Sequence, residues 1–371
     1  MTINEIRSYI DREMLLHSHG IGAVDFSSMS PDDLVTIQHA ADRDDFCIIP
    51  TIFLRRPYMS DFARVLEEFN SRAGDYPAIV GFAVEGPMLG RSGGVPVAGC
   101  WNPTGEEWLQ IAGWGRIGLK YLVIGPDAMD INDELDEGLR FRDLIDEFYA
   151  NGIILALGHF QHNDPDRSAR RTATVIDYIY ENYGRSPDIL ITDHLFNDMP
   201  RNFVHAWRTE ESRHRRPDEI RPVLAEQWTD ANIARLLGPV PATLMLAARA
   251  GKLTPVLNFD GEHVDLEICR LVVDYLGPDR LMAITDNTDS DVMAGEQLHR
   301  LPGSSLRYRS DGVVAAGSTN MAGQRQHMRQ IGLSPVTIDS LVRRVPRRVL
   351  NRALVAGTPS RSPTISIFKH S

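Results

Sequence analysis

The sequence predicts an α/β fold, a (β/α)8 barrel, on three observations. Eight short apolar or β-branched runs alternate with longer segments of mixed polar and apolar pattern, and strand–helix alternation of that kind belongs to a parallel sheet. Eight such units are the number that closes a parallel sheet on itself. The third observation is size: 371 residues, 43% of them hydrophobic, are ample for one large core, and barrels of this length occur as a single unit.

In chain order the runs are "MLLHSH" (14–19), "DFCIIPTIF" (45–53), "AIVGFAVE" (78–85), "LKYLVIGP" (119–126), "GIILALGH" (152–159), "DILITDH" (188–194), "LTPVLNFD" (253–260) and "RLMAITD" (280–286). After the first, "SPDDLVTIQHAADR" reads as a helix with Ser30 as its cap and Pro31 at its first position, where the missing N–H is not needed. "DELDEGLRFRDLIDEFYANG" reads as another, closed by Gly152. Residues 198–230 break the rhythm. They are charged and proline-containing, and are expected to form a long loop or small insertion in which "RHRRP" (213–217) is a solvated run. The expected organisation is a barrel over 1–350 with that insertion, followed by a tail over 351–371 that keeps one strand, "TISIFKH".

Composition narrows the partners. Lys and Arg number 39 against 50 Asp and Glu, a formal charge of −11, which argues against nucleic acid or an anionic membrane and for a small-molecule substrate. Cys47, Cys100 and Cys269 are too few and too widely spaced for a disulfide framework or a zinc ribbon, and suit a reducing compartment. The start, "MTINEIRSYIDREMLL", lacks a basic-then-apolar signal pattern, and no apolar run approaches ~18 residues. A cytoplasmic, soluble protein is expected.

The chemistry is expected at the C-terminal ends of the strands, where barrels of this kind carry their sites. The first run ends in His17-Ser18-His19, and alternation along a strand points both imidazoles to one side. The third ends in Glu85, a carboxylate whose uncompensated burial costs several kcal/mol. The fifth, sixth and eighth end in His159, His194 and Asp286. A lone strand-end histidine is more often a hydrogen-bonded core residue, and a lone buried glutamate often pairs with an arginine. Six metal-competent side chains at the ends of five strands point instead to a bound metal. Carboxylate and imidazole ligands suit zinc, or alternatively ferrous iron.

The stretches "HSHGIGAVDFSS", "PTIFLR", "GFAVEGPMLG", "NPTGEEW", "LVIGPD", "LGH", "DHLFNDMP", "NFDGEHVD", "AITDNTD" and "DGVVAAGSTNM" occur in the order found in the N-acetylglucosamine-6-phosphate deacetylase family of the amidohydrolase superfamily, which the chain resembles. The resemblance implies a metal-dependent (β/α)8 barrel of the TIM type. It implies that Glu85, His159 and His194 bind a principal divalent metal, with His17 and His19 sharing Glu85 to hold a second, so one or two metals per chain. It further implies that Asp286 is the catalytic general base and acid, also reaching the metal. His263 and Asn197 match substrate-binding positions, with Asp198, Trp101 and Asn102 beside them. A homodimer is implied as well. The reaction would be hydrolysis of an N-acylated amino sugar by metal-activated water.

Several features depart from the family pattern. "CWNP" puts Trp101 where the family carries a histidine facing the acyl group, and Asn197-Asp198 puts a carboxylate where a sugar phosphate would approach. His159 and His194 are spaced widely, and the accessory β-sandwich is expected to be largely missing, because the strand-1 ligands begin at residue 17. These departures keep a second reading open, a cyclic-amide hydrolase or deaminase whose planar substrate stacks on Trp101. A third reading is a non-catalytic binding barrel, which retention of all six ligands argues against. "GSTNMAG" (317–323) resembles a phosphate-cradling loop but lacks a P-loop's lysine and spacing, and is expected to tighten the turn after a hairpin at Asp311-Gly312.

Overall fold

Eight parallel strands stand where the eight apolar runs predict them: β1 (Glu13–Ile21), β2 (Phe46–Phe53), β3 (Phe82–Glu85), β4 (Leu119–Ile124), β5 (Ile154–Leu157), β6 (Leu190–His194), β7 (Thr254–Asn258) and β8 (Met282–Ile284). The computed structural model describes residues 9, 11–90, 93–203 and 210–353. Each strand pairs with its neighbour in chain order, from β1 through β8. Beyond β8 the chain reaches the opposite edge. Asp286 N–H donates to His17 O at 2.7 Å, and Asn287 and Thr288 pair in parallel with Ser18 and Gly20 of β1. Residues 282–288 therefore touch both edges of the sheet.

The strands read as continuous apolar runs because both faces are covered, as parallel sheets require. In β2 every residue after Phe46 is buried. Helices α1 (Asp33–Arg43), α2 (Met59–Ser71), α3 (Gly105–Gly113), α4 (Phe141–Ala150) and α5 (Pro165–Tyr183) follow the first five strands. In α2 the buried residues Met59, Phe62, Val65, Leu66 and Phe69 recur at helical spacing and form one stripe. Thr104 and Glu107 form a reciprocal capping box that fixes where α3 begins, just after the segment carrying Trp101. Gly152 takes φ 79° behind α4, a left-handed turn that suits glycine. Helix α1 starts later than its sequence suggests. Ser30 donates through its N–H and hydroxyl to Asp33 (2.7 and 2.9 Å) instead of capping the helix.

The 198–230 stretch differs from its expectation. It carries α6 (Glu210–Leu224), followed by α7 (Ile233–Leu237) and α8 (Pro239–Arg249). Pro217 and Pro222 lie inside α6, and prolines in a pattern read as breaks. Nor is "RHRRP" wholly solvated: Arg216 is buried, with its Nε 3.5 Å from Asp265. After β7 come α9 (Leu266–Leu276) and, beyond the barrel, α10 (Met321–Gln330), α11 (Pro335–Asp339) and α12 (Val345–Ala353). An antiparallel hairpin of Arg307–Tyr308 and Val314–Ala316 turns at Asp311-Gly312, as expected. Asn320 caps α10 by accepting from Gly323 N–H at 3.0 Å, so "GSTNMAG" opens a helix. The "TISIFKH" strand lies outside the described residues. Among the described residues no helix is long and apolar enough to cross a membrane.

Candidate metal centre

At the C-terminal end of the sheet the strand-end side chains meet. His17 and His19 arrive together, their rings 5.0 Å apart and edge-on. Alternation alone does not deliver this. His17 adopts a left-handed φ of 54°, and the β1–β2 pairing slips between Leu15 and Ser18. His159 (φ 52°) and Asp286 (φ 46°) are left-handed as well. Such backbones cost of order 1–3 kcal/mol each and cluster at functional sites. His19 is also stacked on Phe53, at 4.5 Å between ring centres.

Glu85, only 1% exposed, sits between the histidines. Its Oε2 lies 3.3 Å from His17 Nε2 and 3.5 Å from His19 Nε2, while its Oε1 contacts His159 Nε2 and lies 3.6 Å from His194 Nε2. One carboxylate oxygen thus faces each pair of imidazoles. Asp286 Oδ1 joins the first pair, 3.4 Å from His19 Nε2 and 3.8 Å from His17 Nε2.

The electrostatics of the cluster are internal. Among the described residues no lysine or arginine forms an ion pair with Glu85, Asp193 or Asp286; their partners are histidines. Burial opposes protonation of His17, but the Asp193 and Glu85 carboxylates outweigh it and push the imidazole up to about 9. Burial would raise Glu85, but His17 and His159 hold it well below the usual carboxylate range. Asp286 is likewise held low: burial opposes ionisation, and His263, His19 and His194 outweigh it.

The centre also has unused hydrogen-bonding capacity. His17 Nε2, His19 Nδ1, Glu85 Oε2, His194 Nδ1 and both oxygens of Asp193 are buried without a hydrogen-bond partner. A buried polar atom left unsatisfied costs about 1–3 kcal/mol, and more for a charged group. His17, Glu85, Asp193 and His194 offer ligand atoms within 4.8 Å of one another, as do His17, His19 and Asp286. An imidazole and carboxylate set of this kind fits a divalent transition metal.

A second layer holds these groups in place. His159 Nδ1–H donates to Asp198 Oδ2 at 2.8 Å, which leaves Nε2 pointing at Glu85. Asn197 Nδ2 donates to Asp286 Oδ2 at 3.3 Å, and His263 Nε2 lies 3.5 Å from the same oxygen. His263 Nδ1–H donates in turn to Asp260 Oδ2 at 2.5 Å. Burial opposes charge on His263, but Asp260 and Asp286 push it up to about 9. A cavity of about 250 Å³ opens onto the centre. His19, Glu85, His159, His194 and Asp286 line it, Phe53, Val95 and residues 313–315 give it apolar surface, and Arg201 is the one guanidinium that lines it among the described residues.

Several solved deacetylases are similar to this architecture. One from Pasteurella multocida, an N-acetylglucosamine-6-phosphate deacetylase, is 17% identical over 93% of this chain and 77% of its own, with a TM-score of 0.67. The corresponding enzyme of Thermotoga maritima is 12% identical over 92% of this chain and 79% of its own, at 0.63. A Mycobacterium smegmatis variant, solved in complex with N-acetyl-D-glucosamine-6-phosphate, is 19% identical over 92% and 77%, at 0.62. The fold is the one these deacetylases share. No protein-family model and no curated protein matches the sequence.

Measured against the sequence, the six strand-end residues come together, and His263, Asn197 and Asp198 line the cavity with all of them but His17. Trp101 and Asn102 do not. Trp101 Nε1–H donates to Leu54 O at 2.8 Å, and the Arg56 guanidinium lies 4.8 Å above its ring. Asn102 is exposed, its carbonyl accepting from Arg56 at 3.1 Å. The indole is held beside Arg56 and is not among the residues that line the cavity. Asp198 is engaged on both oxygens, with His159 and with His162 Nε2 at 3.3 Å. Sequence reasoning missed Asp193 and left His162 unassigned. Asp193 precedes His194, so strict alternation assigns it to the opposite face, yet both reach the centre. A signal was present: a carboxylate inside the apolar run "ILITDH", and Gly158 on the neighbouring strand, where any Cβ would overlap the Asp193 side chain.

Proposed function

We propose that the chain is a metal-dependent hydrolase that cleaves the amide bond of an N-acylated amino sugar or a related small N-acylated metabolite. The observation that carries this reading is the meeting of Glu85, His159, His194, His17, His19 and Asp286 at one end of the barrel, with buried and unsatisfied donor atoms. Glu85, His159 and His194 would hold the principal divalent metal. His17 and His19, with Asp286 and the second oxygen of Glu85, would hold another. Zinc or ferrous iron suits both donor sets.

When bound, such a metal lowers the pKa of a coordinated water from ~15.7 towards ~7 and polarises the scissile carbonyl. Asp286, held ionised, accepts the proton of the attacking water and returns it to the leaving nitrogen, as general base and then acid. Asn197 and His263 hold Asp286 Oδ2, and Asp260 fixes the orientation of His263. Phe53, Val95 and residues 313–315 provide a dry surface for an acyl group. The amino-sugar assignment rests on the deacetylase fold and on the "DHLFN" and "GEHV" elements, an argument by analogy. A cytoplasmic homodimer, with one catalytic unit over 1–350 and a short tail, belongs to the same proposal.

The test is release of free amine by zinc- or iron-loaded protein from N-acetylglucosamine, its 6-phosphate, and other N-acyl amino sugars. At least one substrate should turn over with kcat/KM in the ~10⁴–10⁸ M⁻¹s⁻¹ range of native reactions. Inertness towards all of them, with good turnover of lactones or cyclic amides, would overturn the assignment.

A further inference from the structure

Asp193 takes part in no step above, and packing does not account for it. It is 3% exposed, and both oxygens lack a hydrogen-bond partner. Its Oδ2 lies 3.1 Å from His194 Nε2 and 3.3 Å from His159 Nε2, while its Oδ1 lies 3.1 Å from His17 Nδ1. Glu85 Oε1 completes the figure, 3.6 Å from His194 Nε2 and in contact with His159 Nε2. Four ligands at about 2.0–2.2 Å around a tetrahedral ion stand about 3.3–3.6 Å from one another. Three of the figure's six edges, Asp193–His194, Asp193–His159 and Glu85–His194, fall at or near that spacing.

We infer that Asp193 Oδ2 is a ligand of the metal held by Glu85, His159 and His194, making a set of two imidazoles and two carboxylates. This rests on the reading above that the centre holds a metal. Asp193 approaches from the barrel interior. With His17 it lines a separate void of about 10 Å³ between Leu16, Tyr121, Val256 and Ile284, whereas Glu85, His159 and His194 line the main cavity. It therefore closes the inner side of the site, and water would add from the cavity side as a fifth ligand. Its other oxygen faces the His17 ring, whose far nitrogen faces Glu85 Oε2, so one carboxylate steadies both halves of the centre.

The alternative is that Asp193 only orients His17. Metal-free wild type, Asp193→Asn and Asp193→Ala are titrated with zinc against a competing chelator. The same proteins are loaded with cobalt(II), whose visible bands report four-coordination. Circular dichroism and melting of the metal-free proteins check folding, and Asp193→Asn, which keeps the side-chain shape, decides if Asp193→Ala does not fold. The expected result is a tighter zinc site weakened at least tenfold in the variants, with loss of the tetrahedral cobalt bands and an intact metal-free fold. Zinc affinity within tenfold of wild type and an unchanged cobalt spectrum would overturn the assignment. Wild type that binds neither metal would instead overturn the metal reading on which it rests.

Discussion

His159 donates its Nδ1–H to Asp198 Oδ2 at 2.8 Å while its Nε2 faces Glu85. A carboxylate behind an imidazole fixes the tautomer and raises the basicity of the nitrogen that remains. Asp198→Ala should therefore weaken the principal metal by about 10–100-fold, the usual effect of losing such a partner. Zinc titration of the metal-free variant measures it. Affinity equal to wild type would mean that Glu85 alone holds the ring.

Asp286→Asn tests the proton carrier. The amide keeps the shape and the hydrogen-bonding oxygen facing His263 and Asn197 but cannot accept a proton. Turnover should fall by roughly 10²-fold or more, in line with general-base contributions, with the far-ultraviolet circular dichroism unchanged. Near-normal turnover would move the base elsewhere.

Much of this was legible in the sequence. The eight apolar runs locate β1 to β8 because strands buried on both faces carry an uninterrupted hydrophobic signal. Five strand ends locate the six converging side chains for the same reason. Three things were not legible. Asp193 was hidden because the period of two fails where a strand ends, and the glycine at 158 makes room for it. The helix α6 was hidden by its own prolines. The placement of Trp101 was hidden because proximity along the chain to a strand end does not fix which way a loop side chain turns. Its indole hydrogen bond to Leu54 O decides that.

The placement of Trp101 gives a prediction opposite to the one its sequence suggests. Trp101→Phe should leave kcat/KM within a few fold of wild type, because the ring does not line the cavity. It should lower stability by about 0.5–1.5 kcal/mol through the lost bond to Leu54 O. Kinetics and a denaturant melt on the same preparation measure both. A large loss of activity with an unchanged melt would put the indole back at the substrate.

The most direct test of the account is the metal content of protein purified without chelators, measured by elemental analysis alongside amide hydrolysis. One to two equivalents of zinc or iron per chain are expected. Activity should be lost on chelation and recovered on adding the metal back. His159→Ala, which removes a ligand of the principal site, should bind at least one equivalent less. Protein that binds no divalent metal even after reconstitution would contradict the account.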